Sequence, residues 1–171
     1  MREEVHVHDH SPDSEDRSAP LYSKQAEEAA RFYASIFPDS RVDAVTSLPA
    51  DTPSGPAGSV DVVEFTLFGQ AFMAISAGPH DPFNDAFSLL VNCASQAEID
   101  RYWEALRAAG GKPQACGWII DQYGVRWQIS PVSLGEMIKD PDRRKARRVA
   151  EEMLKQVKFD IARLEAAYRG G

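Results

Sequence analysis

An aromatic residue followed by glycine falls twice between strand-like segments of this chain, at Phe68-Gly69 and at Tyr123-Gly124. Val60–Leu67 and Gln70–Ser76 flank the first pair. Around the second, the apolar run Trp118, Ile119, Ile120 breaks at Asp121-Gln122-Tyr123-Gly124, and Val125, Trp127 and Ile129 then alternate with Arg126, Gln128 and Ser130. Alternation with period two marks a strand with one buried face. Glycine supplies the positive φ that a tight connection needs, so both stretches are predicted β-hairpins. Pro131 cannot donate to a ladder and ends the second one.

Each hairpin is preceded by a helix and a strand. Over Lys24–Phe37 the residues Ala26, Ala29, Ala30, Tyr33, Ile36 and Phe37 fall at helical spacing, and Pro38 ends the run. Arg41–Leu48 reads as a strand, and Pro49–Ser59, with three prolines and two glycines, as a long mobile loop. In the second half Ala86–Cys93 is a predicted strand. Ser95 caps a helix with Glu98 three positions on, a capping box. That helix runs to about Ala109 and stops at Gly110-Gly111, and a strand near Pro113–Ala115 follows. The helices also align: Gln25-Ala26-Glu27 with Gln96-Ala97-Glu98, Phe32 with Trp103, Ala34 with Ala105. The chain is therefore predicted to be α+β, two βαβββ modules at about 21–79 and 84–131, each giving a curved sheet, around a shared cavity. The first strand of the first module has only Ser18–Tyr22 to form it. Beyond Pro131 helices are predicted at Ser133–Lys139, Pro141–Val157 (capped by Asp140, with Pro141 in the first position) and Asp160–Tyr168, a C-terminal extension over 132–171.

Composition excludes several function classes. A chain of 171 residues is long enough for a real core, and 43% hydrophobic with 26% charged residues is ordinary for a globular protein. The net charge of −7 argues against general nucleic-acid or anionic-membrane binding. No run approaches the ~20 apolar residues of a membrane span, and Met1–Pro20 lacks the apolar segment of a signal peptide. Cys93 and Cys116 are then expected as reduced thiols in the cytoplasm. Residues 1–20 form a polar acidic tail, expected to be disordered; its His6, His8 and His10 read as solvated rather than as a metal site. The run Arg143-Arg144-Lys145-Ala146-Arg147-Arg148, with Val149, Met153 and Leu154 as a packing stripe, reads as a solvated helix face.

The pieces Ala26-Glu27-Glu28-Ala29-Ala30-Arg31-Phe32-Tyr33 with Phe37-Pro38-Asp39-Ser40, Val63-Glu64-Phe65-Thr66-Leu67 with Gly69-Gln70, Gly78-Pro79, Phe83-Asn84, Asp100-Arg101-Tyr102-Trp103 and Cys116-Gly117-Trp118 through Trp127-Gln128-Ile129 carry a resemblance. From Ala26 onward the chain resembles the PhnB-like branch of the vicinal oxygen chelate superfamily, the glyoxalase/bleomycin-resistance/dioxygenase fold, often labelled 3-demethylubiquinone-9 3-methyltransferase. Metal-dependent members place a His, Gln or Glu on the first and last strands of each half. The resemblance puts those positions near Ser18 and Ala86 and at Met73 and Gln128. None is a His or a carboxylate, so no metal is expected, since a divalent ion needs several such donors. The glycines sit in loops, hairpins and a helix end rather than in a strand-to-helix turn that seats a nucleotide. No cofactor is expected, and the methyltransferase label finds no support in these residues.

Gln128, Trp118, Trp127, Met73 and Cys116 are the candidate ligand-binding residues. His80, in the linker between halves, and Glu64 are the candidate catalytic groups; Arg126 is expected to face solvent. The expected function is the binding of a small apolar or aromatic molecule between the modules without metal. The alternatives are a metal-independent enzyme of lyase, isomerase or transferase type, and a dimeric scaffold. Homodimerisation is expected from the family and from the weak first strand, which leaves an edge that a partner could cover.

Overall fold

The computed structural model describes residues 25–78 and 83–170. The strand expected at Ser18–Tyr22, the histidines of the tail and His80 lie outside the described residues.

Helix α1 (Ala26–Ile36) buries Ala26, Ala29, Ala30, Tyr33 and Ile36. Its three buried alanines let a sheet approach closely, and that sheet is built from β1 (Arg41–Ser47), β2 (Asp61–Leu67) and β3 (Gln70–Ser76) in the order β1-β2-β3, all antiparallel. Phe68 (φ 50°) and Gly69 (φ 75°) both take positive φ, the two-residue turn whose twist matches a hairpin. The loop from Pro49 to Ser59 is closed by its own backbone bonds, Leu48 N to Val60 O at 2.8 Å and Gly58 N to Leu48 O at 2.8 Å.

The second module is complete. β4 (Leu89–Cys93), α2 (Gln96–Ala108), β5 (Lys112–Pro113), β6 (Trp118–Ile120) and β7 (Arg126–Pro131) give a sheet in the order β4-β7-β6-β5, with β4 parallel to β7. This is the βαβββ arrangement. Among the described residues the first module repeats its helix and last three strands, with β1, β2 and β3 in the places of β5, β6 and β7. Ser95 caps α2 as expected, its hydroxyl accepting from Glu98 N at 3.3 Å. Glu98 reaches back one residue further than a simple capping box, to Ala94 N at 2.7 Å.

Both helices lie in a single core between the sheets. Val63, Phe65 and Leu67 of β2 meet α1 on one side; Val91, Ile119, Trp127 and Ile129 meet α2 through Ile99, Tyr102, Trp103 and Leu106. Aromatic rings join the halves: Tyr33 to Trp127 at 5.1 Å, Phe37 to Trp127 at 4.9 Å and Phe37 to Tyr102 at 5.2 Å between centroids. The outer faces of both sheets are therefore turned away from this shared core.

The C-terminal extension is helical, with boundaries that differ from those expected. α3 spans Val132–Ile138 and α4 Arg143–Met153. Asp142, not Asp140, caps α4, accepting from Arg144 N at 3.0 Å. Asp140 is engaged elsewhere, by Asp142 N at 2.7 Å and by the Tyr168 hydroxyl. The helix stops at Met153 rather than Val157 because the carbonyls of Gln156 and Val157 leave the helix to accept from Cys116 N (2.8 Å) and Gly117 N (2.7 Å). α5 (Ile161–Arg169) follows, capped by Asp160. The basic run keeps a solvent-facing role in part, but Arg148 donates to the carbonyls of Ala167 and Tyr168, closing the end of α5. Among the described residues no helix is long and apolar enough to cross a membrane.

Candidate functional site

Alternation decides which side chains reach the open face of each sheet. In the first module Val63, Phe65 and Leu67 point into the core, so Val62, Glu64 and Thr66 point out. Register places Glu64 beside Met73 and Ala44, Val62 beside Ile75 and Thr46, and Thr66 beside Ala71. Met73 is 61% exposed and Ile75 44%. Asp43 is held by Arg41 at 2.6 Å and by the Thr66 hydroxyl at 2.6 Å.

In the second module Trp118 lies beside Gln128, which lies beside Leu90. Gln128 Nε2 donates to Ser88 Oγ at 2.7 Å, which ties the carboxamide to the segment leading into β4. Leu90 is 55% exposed, and Phe87 is exposed nearby in sequence. Arg126, expected to face solvent, is mostly covered: it bonds Asp85 at 2.7 Å and the carbonyls of Phe83 and Gly124.

The sequence-derived candidates among the described residues thus fall into four places. Met73 and Glu64 share one open face, and Gln128 and Trp118 share the other; Ile75, Leu90 and Ser88 belong with them and were missed, though their positions in alternating segments carried the signal. Trp127 is closed to solvent in the core, its indole N donating to Asp121 at 2.8 Å. Cys116, half-buried at φ 58°, lies in the turn beneath the C-terminal extension.

Asp121 is the buried polar centre that sequence reasoning passed over as a turn residue. Its carboxylate accepts from Tyr33 OH (2.7 Å), Trp127 Nε1 (2.8 Å), Tyr123 N (2.8 Å) and Val125 N (2.9 Å). Burial pushes its carboxyl above the usual range, and the bonds from Trp127 and Tyr33 pull the other way without cancelling it. Tyr123 in turn donates to Glu28 at 3.0 Å. Every donor around Asp121 is fixed in the core, so this cluster ties the modules together.

Cys93 is a second group removed from chemistry. Burial, then the charge of Glu98, pushes its thiol up to about 12. Alkylation by iodoacetamide at about pH 8 is expected to label Cys116 and to reach Cys93 only after unfolding; equal labelling of both in folded protein would contradict that placement.

Among the described residues, no three of His, Cys, Asp and Glu come together as a metal set. No described helix is entered from a strand through glycine: β4 leads into α2 through Ala94-Ser95, and β7 runs directly into α3. A groove of about 780 Å³ lies at the joined N-terminal ends of α2 and α5. Its polar side chains are occupied in holding α5 in place, Gln96 by the backbone of Phe159 and Ile161 and Asp100 by Lys158.

The model of the 3-demethylubiquinone-9 3-methyltransferase family matches residues 18–130. The chain belongs to that family. A Bacillus cereus protein described as a PhnB protein under the same methyltransferase name is 32% identical, with a TM-score of 0.54 over 63% of this chain and 92% of its own. A Pseudomonas aeruginosa protein, PA1353, is 23% identical, with a TM-score of 0.46 over 62% of this chain and 88% of its own. The family match and the likeness to the Bacillus cereus protein give the fold as that of the PhnB-like vicinal oxygen chelate proteins. The family match stops at the end of β7, so α3 to α5 lie outside it.

Proposed function

We propose that this PhnB-like protein binds a small apolar or aromatic molecule in a cavity completed by a second copy of the chain, without a metal. The observation that carries the reading is the pair of open sheet faces. Met73 and Ile75 are exposed side by side on the first face and Leu90 on the second, and a folded protein rarely leaves such apolar side chains on an open sheet unless something covers them. Each face holds a few polar groups among apolar ones, the composition of a ligand site rather than of a solvated surface. Back-to-back sheets cannot enclose a ligand within one chain, whereas an isologous pair brings the first module's face of one copy onto the second module's face of the other. The last-strand residues Met73 and Gln128 offer a thioether and a carboxamide, a poor donor set for a divalent ion and a good one for an organic molecule.

Native mass spectrometry of the full chain is the test. A dimer carrying a retained small mass is the expected result. A protein that stays monomeric at micromolar concentration overturns the proposal, and a stoichiometric divalent ion on elemental analysis overturns its metal-free part.

A further inference from the structure

We infer that Glu64 selects ligands carrying a cationic nitrogen beside an apolar or aromatic body. The inference rests on the two-copy cavity proposed above and adds the chemical class of its ligand.

Two other charged groups of these sheets have ion-pair partners. Asp43 has Arg41 and the Thr66 hydroxyl, and Arg126 has Asp85. Glu64 differs. It stands at the centre of the middle strand with Ala44 and Met73 at its sides, and its carboxylate has no hydrogen bond or ion pair among the described residues. In an open face water satisfies it. Once the face is covered, an unpaired carboxylate would be a large cost, removed when the occupant supplies a positive charge.

The repeat supplies a second, independent observation. Glu64 is the neighbour of Met73 on the adjacent strand, and Trp118 is the neighbour of Gln128 in the same way. Met73 and Gln128 each lie four residues after their turn glycine, so Glu64 and Trp118 hold equivalent places in the two modules. Faces brought together through equivalent positions set a carboxylate opposite an indole. A carboxylate and an aromatic face, with a thioether alongside, are the elements that hold an ammonium group, by charge and by cation–π attraction. The Gln128 carboxamide, already oriented by Ser88, is left to accept from the remainder of the ligand.

The test compares benzyltrimethylammonium with its uncharged carbon isostere, neopentylbenzene, by titration calorimetry on the full-length protein and on Glu64→Gln. The ammonium is expected to bind wild type roughly tenfold more tightly than the isostere, the scale of a desolvated cation–π and ion contact. Glu64→Gln is expected to remove that preference and leave the neutral probe unchanged. If the isostere binds and the ammonium binds no better, or if Glu64→Gln keeps the preference, the role of Glu64 is overturned while the cavity stands. If neither probe binds, the cavity reading and this inference fall together. A Glu64→Gln protein that loses its dimer would assign the carboxylate to the subunit contact and also overturn the inference.

Discussion

Replacing Asp121 with alanine is expected to lower stability by about 4 kcal/mol, because four fixed donors in the core lose their acceptor at once. For a chain of this size that is a fall in melting temperature of roughly 10 °C. Two of the donors, Tyr33 OH and Trp127 Nε1, come from different modules, so the loss is expected to loosen the packing between modules before either sheet melts. Asp121→Asn retains one acceptor and is expected to fall between. The pH dependence separates the charge from the shape. Burial raises the folded-state value, so the folded protein holds the Asp121 proton more tightly than the unfolded chain. Folding then takes up a proton between the ordinary carboxyl value and the raised one, and this group's contribution is fully present below that window and lost as pH rises through it. Melts of wild type and Asp121→Asn from about pH 4 to about pH 7 should converge as pH rises. Parallel curves would show that Asp121 does not titrate on folding.

Gly117→Ala should be nearly as damaging, for a steric reason. Gly117 sits at φ 77°, and a Cβ there would lie 2.4 Å from the Phe159 ring and 2.8 Å from the Ile129 carbonyl oxygen. The backbone cannot retreat, since Gly117 is bonded on one side to Val157 O and on the other to Ile129 N. Phe159, 2% exposed, would have to leave its slot. Strain in the left-handed region adds to the loss of a buried phenyl ring, together about 4 kcal/mol. The visible result is release of the chain beyond Met153, read as new protease cleavage between α4 and α5 in otherwise folded protein. A Gly117→Ala protein that melts and resists protease like wild type would contradict this docking of the extension.

The repeat was legible because its marks are local. Gly69 and Gly124 fix the hairpins, period-two alternation assigns Trp127 inward and Gln128 outward, and Ser95 with Glu98 opens α2. Asp121 was hidden because an Asp three residues before a Gly has the look of an exposed turn. Its burial comes from Tyr33 on α1, a contact across 88 positions that no local pattern carries. The end of α4 was misjudged for a related reason: Lys155–Lys158 has helical composition, but the amides of Cys116 and Gly117 draw its carbonyls away. Met73, Glu64, Trp118 and Gln128 could be placed on polar faces from the sequence. That those faces look away from each other could not, since it depends on α1 packing against both sheets.

The most direct measurement joins the two faces chemically between copies. Met73→Cys and Gln128→Cys, each made in a Cys116→Ser background, are mixed and treated with a bismaleimide of roughly 10 Å span, the spacing of sheets packed face to face. Covalent dimer formed by the mixture far beyond either variant alone is the expected result, and it would place the open face of one copy against that of the other. A mixture that cross-links no better than the separate variants would contradict a cavity built from two copies.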